Sequence, residues 1–589
     1  MWLASLLPAF AGPLIRDGVP APPAGVRYTL DLALSDVESR FAGTATVVVP
    51  NPLGAPLTTL PLVLTPNATT VPALSIDEAK VMSGQAATWA VGHPSELAVT
   101  FDPPLPADGV VTLSFTFHGG LRALPDDVND PLAQGMSQLA SLGGAGGGGD
   151  FGLLASGDGI VIAASAFPMV VPVVDGAFVR RVLRPDRPIG DLAWNNPSTF
   201  SARIVTPTGL TVVTNLVDRA APSVAGGQVV VAEGSGVGDL VIVASRDWSI
   251  REQQVGGVRV RSFARSRDAV AGQDVLAAGV KSLTVLERYG RYPFTELDLV
   301  EASLVGGAGG VEFGSLAVIG GFLYRDPGAS GSPMAALLGG LGGLGGAQGS
   351  GPSPAEEIAR QRAFVVAHEV AHQWSPGLVG ADAWTYPIVD EPLAQYLAWR
   401  VVTDGLSTAS AAEVRGKYVS MNYGLLRLLG GRDGAADRPT SGFGSSLEYA
   451  GLVYGKAPGL YWALEGAVGR PALDRALTAA FRARAWRPTS PDAWLGALEA
   501  GGAKGAVGLG ARWWREPHGD EDLGVDPGGR QTLAWMVGPQ QAAQLDGVFS
   551  QLGMQPADLF RAFGGAAPEP APGAALGGVS VDELLRQLK

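Results

Sequence analysis

The feature that most constrains the fold is a change in the spacing of apolar residues near residue 249. Within residues 26–248, short runs such as Val111–Phe117 alternate apolar with polar side chains, and clusters of Gly, Pro, Asn and Asp separate these runs. A period of two is typical of strands that bury one face. Further along, Gln273–Tyr289 has the spacing of a helix and Glu296–Val300 has the composition of a strand. The sequence therefore predicts a β-rich region followed by a region that mixes helices and strands.

These patterns predict an α+β chain of several domains. Residues 1–25 are expected to be a leader or a disordered N-terminus, residues 26–248 an antiparallel β domain, residues 249–501 a mixed α/β domain, and residues 502–589 a short helical tail. Stretches of low complexity are expected to be loops or linkers. They are Gly143–Gly149, Leu337–Gly351 and Gly564–Gly578, and a last helix is predicted at Val581–Leu588.

The composition excludes several classes of protein. The 42 Lys and Arg residues against 55 Asp and Glu residues leave a net charge of −13, whereas a nucleic-acid partner usually requires a basic face. The chain has no cysteine, which excludes disulfides, thiolate catalysis and cysteine-bound metals. Any metal must therefore be held by histidines and carboxylates.

Two apolar segments bear on localisation. Gly159–Val174 is shorter than the roughly 20 residues of a membrane span and contains two prolines, so we predict buried strands there and no transmembrane segment. The start of the chain, Met1–Gly12, ends in Ala9-Phe10-Ala11, which resembles a signal-peptidase site, but no basic residue precedes its apolar run. Cytoplasmic and exported locations both stay open.

A helix that is predicted to begin at Ser353-Pro354 contains His368 and His372. Histidines four residues apart lie on one face of a helix, so both imidazoles can bind the same zinc ion. Glu369 lies about 100° further round the helix, beside the metal, where it can take a proton from an activated water and pass it to the leaving amine. The chain has only five histidines, which makes this spacing a specific signal.

The third ligand is predicted to be Glu391, in the first turn of a helix that begins at Asp390 and buries Leu393 and Leu397. Three protein ligands and an open fourth position are typical of a catalytic zinc. Asp390 is expected to orient a ligand histidine or to cap its helix. The plain alternative for Glu391 is a carboxylate that the helix dipole favours.

These residues belong to a longer pattern that resembles the M1 metallopeptidases, the aminopeptidase branch of the gluzincins. His368–Trp374 resembles the HE-x-A-HQW of that family, and Asp390-Glu391 stands where the family usually has Asn-Glu. Gly309–Phe313 occupies the place of the GxMEN motif, and Tyr454–Lys456 resembles the YEKG motif. The resemblance covers residues 26–499 in order and implies a thermolysin-like catalytic domain with a zinc ion.

The resemblance also implies roles for four further residues. Glu312 would bind the free α-amino group of a substrate, and the Tyr454 hydroxyl would donate to the oxyanion of the tetrahedral intermediate. The backbones of Gly309 and Gly310 would hydrogen-bond the substrate as an added strand. No anchor from the N-terminal domain is identifiable near residues 163–168. The chain departs from the family pattern at Val311, Phe313, Gly455 and Ala457-Pro458, none of which is a ligand, the base or the phenol.

The predicted function is a zinc metallopeptidase, with one Zn²⁺ per chain, that removes N-terminal residues from peptides with a free N-terminus. An endopeptidase or another hydrolase on the same zinc site, such as an epoxide hydrolase, is the alternative within the enzyme class. A non-catalytic scaffold that binds partners is the alternative outside it, and the intact set of ligands and base argues against it. The sequence leaves the side-chain preference and the oligomeric state open.

Overall fold

The computed structural model describes residues 14–68, 73–131, 133–134, 151–179, 195–326, 353–406, 409–526, 528–551 and 553–558. The segments Gly143–Gly149, Leu337–Gly351, Gly564–Gly578 and Val581–Leu588 lie outside this described part, so the loops, linker and last helix expected there stay predictions. Of the expected leader or disordered N-terminus at residues 1–25, the structure describes residues 14–25. Leu14 is buried and Ile15 forms a β-bridge with Phe294, because this segment packs against the second half of the chain.

A seven-stranded sheet dominates the first half of the chain. Its strands, in spatial order, are Val217–Val224, Gly227–Val237, Ser198–Pro207, Arg27–Ser35, Arg40–Pro50, Val110–Gly120 and Leu74–Val81. Exposed and buried residues alternate along Arg27–Ser35, as a period of two predicts. One pair departs from the antiparallel pattern, since Arg27–Ser35 and Ser198–Pro207 run parallel.

Two smaller sheets complete the β-rich region. The four-stranded sheet contains Met169–Val170, Leu57–Val63, Glu96–Leu105 and Ala87–His93. The five-stranded sheet contains Thr211–Thr214, Val241–Ser245, Ile160–Ala164, Leu154–Gly157 and Arg122–Ala123. A short ladder joins Val173–Val174 to Ala177–Phe178. Every residue of Ile160–Ala164 is buried, in agreement with the buried strand expected in that apolar run.

A second five-stranded sheet begins the region that carries the predicted site. Its strands, in spatial order, are Trp248–Val255, Val258–Arg265, Glu296–Ala302, Leu316–Gly320 and Gly310–Phe313. The three central strands are parallel, and each outer strand is antiparallel to its neighbour. Gly310–Phe313, which contains Glu312, is therefore an edge strand with one unpaired side within the described residues.

Helices make up most of the remaining chain. The α-helices are Ala269–Leu286, Pro354–Ala371, Pro387–Thr403, Ala411–Arg415, Met421–Leu428, Ser446–Tyr449, Gly459–Val468, Arg470–Arg484, Pro491–Ala500, Ala506–Gly510, Gly519–Leu523, Arg530–Val537 and Pro539–Gln551. Among the described residues, three π-helical segments interrupt them at Gly416–Ser420, Ala450–Lys456 and Ala511–Arg515. The α+β architecture predicted from the sequence is confirmed.

Two apolar clusters connect the β-rich region to the second half of the chain. The larger cluster runs from Leu14 to Val525 and includes residues of both regions. The smaller cluster joins the five-stranded sheet that contains Ile160–Ala164 to the edge hairpin, where Val311 and Phe313 are its members. This second cluster packs against the face of the strand Gly310–Phe313 that carries the side chains of Val311 and Phe313.

One described helix, Ser266–Tyr289 with its flanking turns, is long and apolar enough to cross a membrane by length and composition. Half of its most apolar window is buried, and it packs against Val258–Arg265 and Pro354–Ala371. The helix therefore packs as part of the region that mixes helices and strands.

Candidate active site

The helix Pro354–Ala371 begins as the sequence predicts. The Ser353 hydroxyl accepts a hydrogen bond from the Glu356 backbone N–H, and the Glu356 carboxylate accepts one from the Ser353 backbone, which completes a capping box. The helix ends at Ala371, and the Trp374 indole donates to the Gly290 carbonyl at 3.1 Å just beyond it. His368 lies in the last turn, and His372 is the C-cap residue.

The second helix does not begin at Asp390 as expected. It begins about one turn earlier, at Pro387, so Glu391 lies in the second turn and Pro392 is accommodated inside the helix. The early start arises because proline suits the first helical position. The helix is buried along its whole length from Pro387 to Val402, rather than on one face. Its second turn presents Glu391 to the two histidines.

Three electron-pair donors converge between the two helices. The Nε2 atoms of His368 and His372 are 3.0 Å apart, and Glu391 Oε2 lies 3.2 Å from the first and 3.4 Å from the second. Tetrahedral zinc with bonds of about 2.0–2.1 Å requires ligand atoms about 3.3 Å apart. The three atoms therefore have the spacing that a zinc ion requires, and His368, His372 and Glu391 could hold it.

The hydrogen bonds of His372 determine which ring nitrogen carries the proton and which has a free lone pair. Nδ1 lies 2.8 Å from Asp390 Oδ1 and 2.9 Å from the Ser375 carbonyl oxygen. Both neighbours are acceptors, so Nδ1 carries the proton and the neutral ring has its lone pair on Nε2. Lone pairs that converge at such distances need a cation between them. The donor set thus fits a divalent metal, and Asp390 has the orienting position expected for it.

The electrostatic environment of the site also favours a cation. Burial acts to lower the pKa of His372, but the carboxylates around it outweigh that effect and raise the pKa well above its usual value. These carboxylates belong to Glu312, Asp390 and Glu391. Burial and the neighbouring ring lower the pKa of His368. The negative carboxylates that favour a proton on His372 would equally favour a divalent metal ion next to its ring.

Glu369 is buried, and its carboxylate lies against the edge strand. A Cβ added at Gly310 would meet Glu369 Oε1 at 2.5 Å, so only glycine leaves room for the side chain in this position. Glu369 also has an oxygen within 4.8 Å of both a Glu312 oxygen and a His372 nitrogen. The predicted base, the predicted amine anchor and a metal ligand are therefore brought together.

The edge strand presents Gly310 and Glu312 outwards. Gly309 accepts from the Gly320 backbone N–H at 2.8 Å, and alternate residues of an antiparallel pair use their backbone groups in this way. The backbone groups of Gly310 and Glu312 therefore point away from the partner strand, whereas the Gly309 carbonyl is engaged inside the hairpin. The expectation that Gly309 and Gly310 both serve the substrate is thus supported by geometry for Gly310 only.

Burial raises the pKa of Glu312 to about 8, an effect that His372 opposes and that Asp390 and Glu391 reinforce. Among the described residues, the positive partner of this carboxylate is the imidazole of His372, 3.9 Å away. Such a group is stabilised by a cation that enters the site.

Tyr454 lies in the π-helical segment Ala450–Lys456, the kind of irregular turn that is frequent at functional sites. Its ring centroid is 6.0 Å from that of His368, and Tyr449 packs edge-on against it at 5.7 Å. Gln395 lies behind the segment, with its amide 3.5 Å from the Tyr454 carbonyl oxygen. The structure thus brings Tyr454 beside the predicted metal ligands.

Sequence reasoning did not identify the role of Gln373, which lies inside the quoted motif. Its amide Nε2 donates to the Phe313 carbonyl at 2.9 Å, and its Oε1 accepts from the Ser315 N–H at 2.9 Å. Gln373 therefore ties the end of the helix Pro354–Ala371 to the turn of the hairpin that carries Glu312. The available signal in the sequence was a glutamine directly after a candidate ligand histidine.

A cavity of about 110 Å³ adjoins the site. Glu312, His372 and Gln373 line one part of it, and Asp239 and Ser165 from the β-rich region line another. Sequence reasoning did not single out Asp239, because nothing local marks a carboxylate between two strands as part of a site.

Comparisons with known proteins agree with this geometry. No curated protein matches the sequence of the chain. The chain is similar in fold to a crystal structure of the M1 zinc metallopeptidase from Deinococcus radiodurans, at 16% identity and a TM-score of 0.55 over 84% of this chain and 95% of that one. A variant of that enzyme with a bound Tyr-ser-ala substrate matches at 15% identity and a TM-score of 0.53, over 84% and 95% of the two chains. Residues 352–503 match the model of the peptidase family M1 domain. The resemblance read from the motifs is therefore confirmed, since residues 352–503 match the peptidase family M1 domain and the fold is similar to that of M1 zinc metallopeptidases.

Proposed function

We propose that the chain is a zinc-dependent aminopeptidase that removes N-terminal residues from peptides. The observation that carries the proposal is the position of Glu312. Its half-buried carboxylate lies within 4.8 Å of both Glu369 and His372, on a strand whose free edge faces the site. A carboxylate so close to the base suits a substrate whose positive charge lies next to the scissile bond, which is the α-amino group of a peptide.

The metal would be held by His368, His372 and Glu391. Zinc, when bound there, would polarise the scissile carbonyl and make water acidic enough to be deprotonated near neutral pH. Asp390 keeps the proton of His372 on Nδ1, so Nε2 stays available as a ligand.

Glu369 would act as the proton carrier of the reaction. Its carboxylate accepts a proton from the attacking water and then gives it to the nitrogen of the departing peptide. Gly310 leaves the space in which the carboxylate lies. Tyr454 would donate its hydroxyl hydrogen to the carbonyl oxygen as negative charge develops there, and the π-helical segment would place that hydroxyl.

Substrate binding would combine one charge interaction with strand addition. The ammonium group of the peptide would pair with Glu312, and the backbone near the scissile bond would bond to the outward groups of Gly310 and Glu312. The Deinococcus radiodurans relative with a bound Tyr-ser-ala substrate, and a two-domain M1 relative with bound L-arginine, support peptides and amino acids as the ligand class.

The test measures the cleavage rate of one peptide with a free or an acetylated N-terminus. The enzymes are wild type, Glu369→Gln and Glu312→Gln. Wild type should cleave only the free peptide and should lose activity when zinc is removed. Glu369→Gln should retain zinc but lose turnover, whereas Glu312→Gln should mainly raise KM for the free peptide. Equal rates on the two peptides would reject the aminopeptidase and favour an endopeptidase. Failure of wild type to bind zinc would favour a non-catalytic scaffold.

A further inference from the structure

Asp239 is a buried carboxylate in the wall of the cavity beside the site. It follows the strand Gly227–Val237 and precedes Val241–Ser245, so it belongs to the β-rich region. The residue is 4% exposed, and its carboxylate accepts a hydrogen bond from the Ser165 hydroxyl at 3.3 Å. Both residues line the cavity that Glu312 and His372 also line.

No cation of the described residues acts on Asp239. Burial raises the pKa of its carboxyl to about 7, and the Ser165 hydroxyl is the one group that opposes this rise. Buried charges in proteins are usually paired, because an uncompensated buried carboxylate is costly. A cationic partner of Asp239 is therefore absent from the described part of the chain, while the residue lines the cavity beside the site.

The remaining walls of the cavity are mainly apolar. Its apolar lining includes Phe151, Leu153, Leu154, Val311 and Leu378. An apolar wall with one carboxylate matches a side chain that has a methylene stem and a charged end, as lysine and arginine do. A neutral apolar side chain would fill the same walls and leave Asp239 without a counter-charge.

The cavity therefore contains two acidic groups from different elements. Glu312 is on the edge strand next to Glu369, where the proposed function places the α-amino group. Asp239 is on the β-rich wall, and a second positive charge on the same substrate residue would satisfy it. We propose that Asp239 is a specificity-determining residue that pairs with the cationic side chain of an N-terminal lysine or arginine. This inference rests on the proposed aminopeptidase function.

The test uses two substrates that differ only in charge, the 4-nitroanilides of arginine and of its neutral isostere citrulline. Wild type should favour arginine by about 100-fold in kcat/KM, because a hydrogen bond to a charged group contributes about that factor to binding. Asp239→Asn keeps the shape of the side chain and should remove most of this preference, with little change in the rate on citrulline. Asp218→Asn is the matched control, since Asp218 is another carboxyl whose pKa burial raises to about 7, but it does not line the cavity. It should keep the preference.

Each outcome separates this inference from the proposed function. Equal rates of wild type on the two substrates would overturn the role of Asp239 and leave the aminopeptidase intact. An equal loss on both substrates in Asp239→Asn would assign the carboxylate to the α-amino group and also overturn the inference. If wild type turns over neither substrate, the proposed function fails for these ligands. Calorimetric binding of arginine amide and citrulline amide to zinc-loaded Glu369→Gln then decides the inference, and equal affinities would overturn it.

Discussion

Replacing Gly310 with alanine would place a methyl group against the carboxylate of Glu369. The added Cβ would lie 2.5 Å from Oε1 and 2.6 Å from both Cγ and Cδ, whereas ordinary contacts begin at 3.4 Å. The carboxylate must therefore retreat by about 1 Å, and a displacement of that size in a catalytic group costs about 100-fold in rate. The atoms that must move are the end of a flexible side chain, so the folded state should lose little stability.

The assay is steady-state kinetics on one aminoacyl 4-nitroanilide, together with zinc content and thermal unfolding. Gly310→Ala should lower kcat about 100-fold while the zinc content and Tm stay close to those of wild type. Gly309→Ala is the neighbouring comparison, because its Cβ would meet Val365 Cγ2 at 3.1 Å, a contact that a shift of a few tenths of an ångström relieves. Its loss of kcat should be much smaller. A wild-type kcat in Gly310→Ala would refute the position of Glu369 against the edge strand and the role argued from it.

Three further outcomes are expected. Asp390→Ala should weaken zinc binding about 10- to 100-fold in a chelator competition, because the ring of His372 loses its orienting carboxylate. Gln373→Ala should lower the free energy of unfolding in urea by about 2–4 kcal/mol, because two buried backbone groups of the hairpin turn lose their partner; an unchanged value would mean that this tie is unimportant. The folded-state pKa of Asp239 is raised to about 7 from 3.8, so its contribution to stability is complete below about pH 4 and is lost as the pH rises through 7. Between pH 5.5 and 8.5, wild type should therefore lose about 2 kcal/mol relative to Asp239→Asn, and parallel stability curves would contradict the raised pKa.

The convergence of the two candidate histidine ligands could be predicted from the sequence because it depends on local geometry. A spacing of four residues on a helix brings His368 and His372 to one face whatever surrounds the helix. To predict Glu391 as the third ligand, it was also necessary to predict a second helix that carries it. Its start was misplaced because Asp390 resembles a cap, whereas in the structure Pro387 begins the helix and Asp390 instead binds His372. The error moved a boundary by one turn without changing the predicted ligand set.

The parts of the site that depend on long-range packing could not be predicted in the same way. The engaged carbonyl of Gly309 follows from the register of the hairpin, and no local pattern specifies that register. Asp239 and Glu312 reach one cavity only because the β-rich region packs against the second five-stranded sheet. The Ser375 carbonyl that holds His372 belongs to the turn after the helix, where the backbone path depends on tertiary contacts.

The position of Glu312 explains why the chain departs from the family pattern next to it. Val311 and Phe313 flank it on the strand, so their side chains point to the opposite face, where both are buried in the cluster that the β-rich region shares. An asparagine at residue 313, as the family usually has, would bury an amide among aliphatic side chains. The turn is held from the other side by Gln373. The departures thus alter the packing that supports the proposed amine anchor and leave the Glu312 carboxylate in place. Because the same packing brings Asp239 to the cavity, the β-rich region both positions the proposed anchor and supplies the group that we propose selects the substrate side chain.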